Sequence, residues 1–431
     1  MTTTYNPADP LYFEEADLRS ELTRVFDLCH GCRLCLHLCP AFPTLFRAID
    51  TRDGNVEGLT TGEQDQVVDE CYQCKLCYVK CPYIPPHEWN LDFPRLMMRA
   101  NAHKKHKGEQ GFSEKVADQV LSRTDLVGSL AVRLSGISNA ALSTSNTVAR
   151  KAIEKTVGIA SQRMLPPYAR QRFSSWFRNR VKGFIENRKS KAIIYPTCFI
   201  EYQQPSIGKD MVKVYEHNGI ECSLPEGVKC CGAPWLHSGD VDNFRKAAAR
   251  NVTALLSYAR RGYPIVVAQP TCAYVIKKDY PLYLGTKEAS DVAEATFDAA
   301  QYLMQVHKTQ GGLKTEFKGK VPSTVTYHAP CHLQAQNMGF KSRDLLKLAG
   351  IKVNVVTKCS GIDGTWGYRA ENYDLSKKVA AGLVSAIGKS ESEVLSGDCH
   401  LANTAITEEL SRPVYHPIEI MAKAYGLSEE D

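Results

Sequence analysis

Eight of the sixteen cysteines form two runs with identical spacing in the N-terminal quarter of the chain. The runs are Cys29, Cys32, Cys35 and Cys39, and Cys71, Cys74, Cys77 and Cys81. Each reads C-x2-C-x2-C-x3-C-P, ending at Pro40 or Pro82. Three thiolates at steps of three residues can bind one cluster from a tight loop, while a fourth before proline starts a new chain direction. The predicted chemistry is therefore the binding of iron–sulfur clusters.

This spacing is typical of bacterial two-cluster ferredoxins, in which the fourth cysteine of each run binds the other cluster. The sequence therefore predicts two [4Fe–4S] clusters within residues 1–100. The crossed assignment gives one cluster to Cys29, Cys32, Cys35 and Cys81, and the other to Cys71, Cys74, Cys77 and Cys39. A pair of zinc knuckles is disfavoured because zinc sites take their four ligands in two pairs.

Composition sets the context for this chemistry. With 431 residues, 43% hydrophobic and 23% charged, the chain is expected to be a soluble protein of two or three domains. The polar, acidic N-terminus lacks the apolar core of a signal peptide, and no stretch reaches the roughly 20 apolar residues of a membrane span. We therefore expect a cytoplasmic protein, with a peripheral contact at the cytoplasmic face of the inner membrane as an extension. Cysteines in that reducing compartment indicate metal binding rather than disulfides.

From Lys191 onward the chain repeats itself, each copy alternating short apolar strands with helices. Ala192–Tyr195 leads to Cys198, and Thr324–Tyr327 leads to Cys331. This alternation predicts two parallel α/β lobes, with the motif cysteines on loops that follow strands, where such folds bind ligands. We expect the two lobes to face each other across a pseudo-twofold axis.

The two lobes differ in the thiols that they offer. The first lobe brings four cysteines, which suffice for a further [4Fe–4S] cluster: Cys198, Cys230, Cys231 and Cys272. The second lobe offers Cys331, Cys359 and Cys399, with Ser360 at the position of Cys231. His328, His332, His400 or Ser360 would have to complete a metal or cluster site there. Structural thiols and ordinary surface or core histidines are the alternatives, and Cys222, in mid-strand, is expected to be a small buried hydrophobe.

The segment between these parts is basic and helical. Residues 150–191 carry twelve Lys and Arg against Glu154 and Glu186, a local excess of +10. A solvated helical face, an anionic membrane surface and an acidic partner all explain it, whereas no nucleic-acid motif accompanies the charge. Asp125 is expected to cap a helix with an apolar stripe formed by Leu126, Leu130, Leu134, Ile137 and Ala141. Core packing is the favoured interpretation of the stripe, and a membrane or partner surface is the alternative.

Together these patterns predict a mixed α+β and α/β protein with four parts. Residues 1–100 would form a helical two-cluster ferredoxin-type domain, and 101–190 a basic helical connection. Residues 191–310 and 311–431 would form the two cysteine-rich lobes.

The motifs resemble those of a known family. His328-Ala-Pro-Cys-His-Leu333, Cys359 to Tyr368 and His416-Pro417-Ile418 are similar to motifs of the iron–sulfur C subunits of anaerobic glycerol-3-phosphate dehydrogenases. More broadly, the chain resembles the family with the cysteine-rich CCG domain. That family includes the B-type subunit of heterodisulfide reductase and iron–sulfur subunits of glycolate and lactate oxidation.

In the reductases the resemblance implies C…CCG…CxxC motifs that bind non-cubane clusters and cleave a disulfide. This sequence departs from that motif in both lobes. Gln269 stands where the first Cys of Cys-x-x-Cys would fall, Ser360 replaces the second Cys of the pair, and Ser396 and Ala402 flank Cys399. The departures disfavour five-thiolate sites and heterodisulfide chemistry.

Three functions follow as hypotheses. The first is a non-catalytic electron-transfer subunit that carries electrons from a flavoprotein dehydrogenase toward quinone or another acceptor, in the manner of anaerobic respiration. The second is a soluble redox partner of a rubrerythrin-type diiron protein, suggested by the likeness of Cys81–Asn90 to family members in that setting. The third is a thiol/disulfide-active oxidoreductase using Cys331, Cys359 and Cys399.

Overall fold

A computed structural model describes residues 4–108, 111–181, 189–362 and 364–428. The N-terminal part is helical, with a 3-10 turn at Pro10–Phe13 before α1. Its helices are α1 (Glu15–Cys32), α2 (Ala41–Asp50), α3 (Thr61–Asp69), α4 (Leu76–Lys80) and α5 (Phe93–Lys107). The core of this unit is built from the inner faces of α1, α2 and α5, where residues such as Leu22, Phe42 and Leu96 are buried.

Local sequence signals fix where these helices begin and end. Thr60 and Glu63 form a reciprocal capping box at the start of α3. Asp92 accepts the Arg95 N–H at the start of α5, and Gly108 ends that helix in the left-handed conformation. α5 also crosses the predicted boundary at residue 100 without a break and packs against the first lobe.

Short helices form the connecting segment: α6 (Phe112–Ser122), α7 (Thr124–Arg133), α8 (Ser135–Leu142), α9 (Thr147–Val157) and α10 (Phe173–Asn179). The apolar stripe is divided between α7 and α8; its four large residues face outward, whereas Ala141 lines a cavity. Leu130 is 51% exposed and Ile137 is 72% exposed. The core-packing interpretation of the stripe is therefore wrong, because the segment turns its smaller residues, such as Ala131, toward the protein and its large ones toward solvent.

The first lobe is a four-stranded parallel sheet of order β2-β1-β3-β4 with helices around it. Its strands are β1 (Ser190–Ile194), β2 (Ile220–Ser223), β3 (Ile265–Val267) and β4 (Thr296–Asp298). Its helices are α11 (Cys198–Tyr202), α12 (Pro205–His217), α13 (Ala233–His237), α14 (Val241–Arg260), α15 (Pro270–Tyr274), α16 (Tyr280–Leu284), α17 (Lys287–Glu294) and α18 (Ala299–Thr309). A π-helical turn, Val275–Asp279, joins α15 to α16.

The second lobe repeats this sheet with the order β6-β5-β7-β8, again parallel. Its strands are β5 (Thr324–His328), β6 (Lys352–Val356), β7 (Val394–Gly397) and β8 (Val414–Tyr415). Its helices are α19 (Cys331–Ala335), α20 (Lys341–Leu348), α21 (Tyr373–Gly388), α22 (His400–Leu410) and α23 (Pro417–Tyr425), with 3-10 turns at Trp366–Tyr368 and Ala370–Asn372. The prediction of two parallel α/β lobes is confirmed, and each sheet has a fourth strand that the sequence pattern did not indicate.

One apolar core runs through both lobes. It joins Ile194 and Val266 of the first sheet to Val325 of the second and to Ile418 of α23, all fully buried. Such a continuous core fixes the two lobes against each other. Within the described ranges, none of the helices combines the length and apolar character needed to cross a bilayer.

Candidate metal centres

Group one consists of four thiols around a small cavity in the N-terminal unit: Cys29, Cys32, Cys35 and Cys81. Arg33 ends α1 with a positive φ of 52°, which turns the chain back after Cys32. Burial raises the pKa of the Cys29 thiol, and the neighbouring thiols raise it further. Burial also raises the pKa of Cys35 to about 11. The pKa of Cys29 and of Cys35 is thus raised by burial and also because thiolates side by side repel each other, and a cationic cluster bound to the group would relieve that repulsion.

Group two consists of Cys39, Cys71, Cys74 and Cys77. Gln73 and Lys75 adopt positive φ values of 59° and 64°, which fold the segment around Cys74 into a tight loop. Burial and the three other thiols of the group raise the pKa of Cys77, and Cys35 of group one adds to this shift. Group one and group two are therefore neighbours. They are also the two sets that the crossed assignment predicts.

The lobe-one group consists of Cys198, Cys230, Cys231 and Cys272, which line one side of a larger cavity. Cys198 begins α11 after β1, the pair follows β2, and Cys272 stands in α15 after β3. The sulfurs of Cys231 and Cys272 are 3.2 Å apart. Hydrogen bonds from the Cys198 and Cys231 thiols hold the pKa of Cys230 well below its ordinary value. The three strand-end loops thus bring four thiols together.

A buried network holds the loop that carries Cys230 and Cys231. Asn251 of α14 accepts the Lys229 N–H at 2.9 Å and donates to the Cys230 carbonyl at 3.0 Å. The Tyr280 hydroxyl donates to the Cys231 carbonyl at 2.9 Å. Asp125 of α7 accepts the Cys230 N–H at 2.8 Å. Every one of these polar groups is thereby satisfied, which fixes the loop in one conformation.

The lobe-two group consists of Cys331, Cys359 and Cys399 around a small cavity. His328, His332 and Ser360 belong to the same wall. Burial lowers the pKa of His328 to about 4, so its ring is neutral and its Nε2 donates to the Lys358 carbonyl at 3.0 Å. His332 lies with its Nδ1 3.6 Å from the Cys331 sulfur and 3.4 Å from the Thr271 hydroxyl.

Two contacts link these groups to each other. The Tyr72 hydroxyl, between Cys71 and Cys74 of group two, accepts a hydrogen bond from the Cys359 thiol at 3.4 Å. The Gln269 amide donates to the Cys399 sulfur at 3.3 Å, across the boundary between the lobes. The order of adjacency is therefore group one, group two, lobe two, lobe one.

The described part of the chain contains no group of three or more His, Cys, Asp or Glu side chains arranged to hold a single metal ion. The thiol groups fit a different kind of cofactor, because the cysteines around an iron–sulfur cluster bind separate iron atoms. All sixteen cysteines are free thiols.

Comparison with known protein families agrees with this division. The model of the Cysteine-rich domain (CCG) matches residues 192–277 and again 325–404. The model of the Citrate utilization protein B Fer4-like domain matches residues 22–107. The C subunit of anaerobic glycerol-3-phosphate dehydrogenase from Escherichia coli (strain K12) is 31% identical over 310 residues, which cover 71% of this chain and 76% of that protein.

The chain belongs to the family of anaerobic glycerol-3-phosphate dehydrogenase C subunits. Two other relatives are more distant. The B subunit of fumarate reductase (CoM/CoB) from Methanothermobacter marburgensis is 25% identical over 56% of this chain and 47% of its own length. Lactate utilization protein A 1 of Bacillus mycoides is 27% identical over 56% of this chain and 97% of its own length. These matches support iron–sulfur clusters as the cofactors, and they mark the chain as an iron–sulfur subunit of an oxidoreductase.

The chain departs from the C…CCG…CxxC motif of this family at Gln269 and Ser360, and the structure shows what these two residues contact. Gln269 accepts the His400 N–H at 3.3 Å in addition to its contact with Cys399. It therefore ties the lobes together where a cysteine would have added a thiolate. Ser360 stays in the wall of the lobe-two cavity beside Cys359.

Sequence reasoning missed several residues of these centres. It assigned Asp125 to a helix cap, but Arg123 is the N-cap of α7 and the Asp125 carboxylate accepts from Cys230 and from Tyr202. Asn251 and Tyr72 carried no signal, because a polar residue inside an amphipathic helix and a tyrosine between two cysteines are both common.

Proposed function

We propose that this chain is the electron-transfer subunit of a dehydrogenase, accepting electrons from a flavoprotein subunit and delivering them to a membrane quinone. The observation that carries the proposal is the unbroken series of thiol groups. Group one adjoins group two, Tyr72 links group two to Cys359, and Gln269 links Cys399 to the first lobe. The relatives named as a glycerol-3-phosphate dehydrogenase subunit and a fumarate reductase subunit support it.

In this proposal group one and group two each hold one [4Fe–4S] cluster, and the lobe-one group holds a third. Cys331, Cys359 and Cys399 are candidate ligands of a further metal or cluster in the second lobe. Bound clusters would supply one-electron carriers, and their potentials would depend on burial and on hydrogen bonds to the sulfurs. The chain itself has no G-x-G-x-x-G dinucleotide motif, so we assign the flavin and the organic substrate to the partner.

The surface beside group one is the proposed docking face for the flavoprotein. Cys32 is the exposed thiol of the group. Leu34 lines the cavity of group one and is 58% exposed, and Trp89, 37% exposed, packs on Tyr83 of the same cavity. Exposed apolar residues grouped beside a redox centre favour contact with another protein over contact with water.

Anaerobic iron and sulfide analysis with EPR of the reduced protein tests the assignment of the centres. We expect about twelve irons per chain, or more if lobe two is also loaded, and a loss of about four in the double variant Cys230→Ala/Cys231→Ala. Cys222→Ala is the matched control, because Cys222 is buried in β2 outside every thiol group. An equal iron content in the double variant and the control would remove the lobe-one cluster from the proposal.

Electron transfer itself is tested with purified partners. The dithionite-free protein is mixed with a flavoprotein dehydrogenase and its substrate, and reduction of the clusters is followed by EPR.

The rubrerythrin-type alternative predicts instead that the reduced chain is oxidised by a diiron protein with peroxide. A thiol/disulfide activity predicts that alkylating Cys331, Cys359 and Cys399 stops turnover. Reduction by the flavoprotein that survives alkylation would support the electron-transfer function alone.

A further inference from the structure

The connecting segment closes one side of a cavity of about 450 Å³, and the lobe-one thiols lie on its other side. Val127 and Ala131 of α7, Ala141 of α8 and Ile153 of α9 belong to the outer wall. The volume is within the range of pockets that bind small organic molecules, roughly 300–1,000 Å³. A cluster bound to the four thiols would occupy their end of the cavity. The space beside the apolar residues of α7, α8 and α9 would remain for a second molecule.

Polar side chains also belong to the wall of this cavity, among them Thr124, which hydrogen-bonds to the Cys230 thiol, and His237 and Tyr368. The Nε2 of His237 and the hydroxyl of Tyr368 are both buried, and neither has a hydrogen-bond partner within the part of the chain that the structure describes. His237 follows the Cys230–Cys231 loop in α13, and its Nδ1 side faces Gly364, in the same loop as Tyr368. Buried polar atoms are nearly always paired, so two such atoms in one cavity wall indicate a ligand that pairs them.

The ligand that satisfies these features must be apolar, ring-sized, and equipped with hydrogen-bond acceptors. Because the cavity adjoins the lobe-one thiols, the ligand should also be able to exchange electrons with a cluster bound there. We propose that this cavity binds the ring of an isoprenoid quinone, with Tyr368 and His237 as donors to its carbonyl oxygens. The choice of a quinone rests on the proposed function, whereas the pocket, its apolar walls and its two donors do not.

The outer side of the same helices fits a lipid-soluble ligand. Leu130 on α7 and Ile137 on α8 are exposed, while Ala131 and Ala141 on these helices line the cavity. Arg133 ends α7, and Arg172 donates to the Ser129 hydroxyl on that helix, so positive charge lies beside the apolar stripe. A quinone in an anionic leaflet would therefore meet this side of the protein first.

Binding of duroquinone to the oxidised, full-length protein tests the site. Duroquinone carries no free ring position for thiol addition and no tail, so its equilibrium dialysis reports on the ring pocket alone. We expect saturable binding that Ala131→Phe weakens at least about tenfold by filling the cavity. Tyr368→Phe should weaken binding about three- to tenfold by removing one hydrogen bond. Leu130→Phe is the matched control, one residue away on the outer face of α7, and should bind within twofold of the wild type.

Saturable binding that neither Ala131→Phe nor Tyr368→Phe changes would overturn the proposal, as would no saturable binding. Competition by an alkyl maltoside below its micellar range would also overturn it, since the cavity would then hold an acyl chain. Reduction of duroquinone by the prereduced protein is measured separately. Binding without reduction upholds the site and removes quinone as the acceptor, whereas reduction without binding in this cavity upholds the function and overturns the site.

Discussion

The Tyr72 hydroxyl and the Cys359 sulfur lie 3.4 Å apart, although 287 positions separate the two residues in the chain. The same hydroxyl donates to the Leu38 carbonyl at 3.2 Å, beside Cys39 of group two. The Tyr72 ring packs on Trp366 with ring centres 5.0 Å apart, and the Trp366 indole donates to the Asp69 carbonyl at 2.9 Å. The N-terminal unit therefore contacts the second lobe next to Cys359, a candidate cluster ligand.

Tyr72→Phe tests whether this contact carries electrons. The variant keeps the ring packing on Trp366 and removes only the hydroxyl between Leu38 and Cys359. We expect an unchanged iron content, a loss of stability of about 1 kcal/mol, and a several-fold slower passage of electrons from the N-terminal clusters to the lobes. Freeze-quench EPR after mixing with a reduced donor measures that passage.

Tyr83→Phe is the control for this measurement. Its hydroxyl bonds to Cys32 of group one, on the far side of the series, and that thiol raises the pKa of Tyr83. Tyr83→Phe therefore removes a comparable hydroxyl beside a thiol and leaves the contact between Tyr72 and Cys359 unchanged. Transfer at wild-type speed in Tyr72→Phe would show that electrons reach the lobes by another route.

Asn251→Ala should empty the lobe-one centre while sparing the N-terminal ones. The substitution removes the partner of the Lys229 N–H and leaves the buried Cys230 carbonyl and Tyr280 hydroxyl without the Asn251 amide, which we expect to destabilise the protein by about 2–4 kcal/mol. About four irons should be lost, with the signals of group one and group two intact. Anaerobic urea unfolding and iron analysis make the measurement. Asn243→Ala on the same helix removes one half-buried side-chain hydrogen bond to Asp240 and keeps the backbone cap bond, and we expect it to cost about 1 kcal/mol or less.

The sequence was sufficient to predict what depends on local spacing. The cysteine runs and the strands that lead to Cys198 and Cys331 leave a periodic or motif signal in a short window. It was insufficient where distant segments meet. Strands β4 and β8 are three and two residues long, and such short strands have no readable alternation.

The error over the apolar stripe has a physical cause of its own. Leucines at helical spacing predict that one face is apolar, but not what covers that face. Here the small residues of α7 and α8 face inward and line a cavity, so the large ones were left outside. Likewise, the partners of Asp125 and Gln269 are set by lobe packing, which a single sequence does not encode in any local pattern.

Stability should fall in mild acid partly through His416, which joins the lobes. Its Nε2 donates to the Ala268 carbonyl at 3.1 Å, and its Nδ1 accepts the Ile418 N–H at 3.2 Å, so the ring must be neutral. Burial lowers its pKa from 6.5 to about 4. The unfolded chain takes up the proton first, and so this contribution is complete above pH 6.5 and is lost as the pH falls toward 4. By pH 5.5 we expect a loss of about 1.4 kcal/mol from this residue.

His416→Asn isolates that contribution from those of the other buried histidines. Asparagine can still cap α23, but it does not titrate and cannot reach Ala268 in the same way. Urea midpoints of wild type and variant are compared anaerobically between pH 7.5 and 5.5. The variant should be less stable at pH 7.5, and the difference should shrink as the pH falls. A difference that stays constant with pH would show that the proton is not excluded from His416.

The outward stripe on α7 and α8 should bind anionic membranes. Ile137 is 72% exposed and stands in a segment with a large excess of positive charge, a combination that favours the surface of an anionic leaflet. We expect the protein to float with vesicles containing phosphatidylglycerol, to be released by salt, and to lose about tenfold in affinity on Ile137→Glu. Leu11→Glu places the same charge on an exposed apolar residue of the N-terminal unit and should leave flotation unchanged. Equal flotation of both variants would assign the stripe to a protein partner, and the route by which a quinone reaches the cavity would then run through that partner.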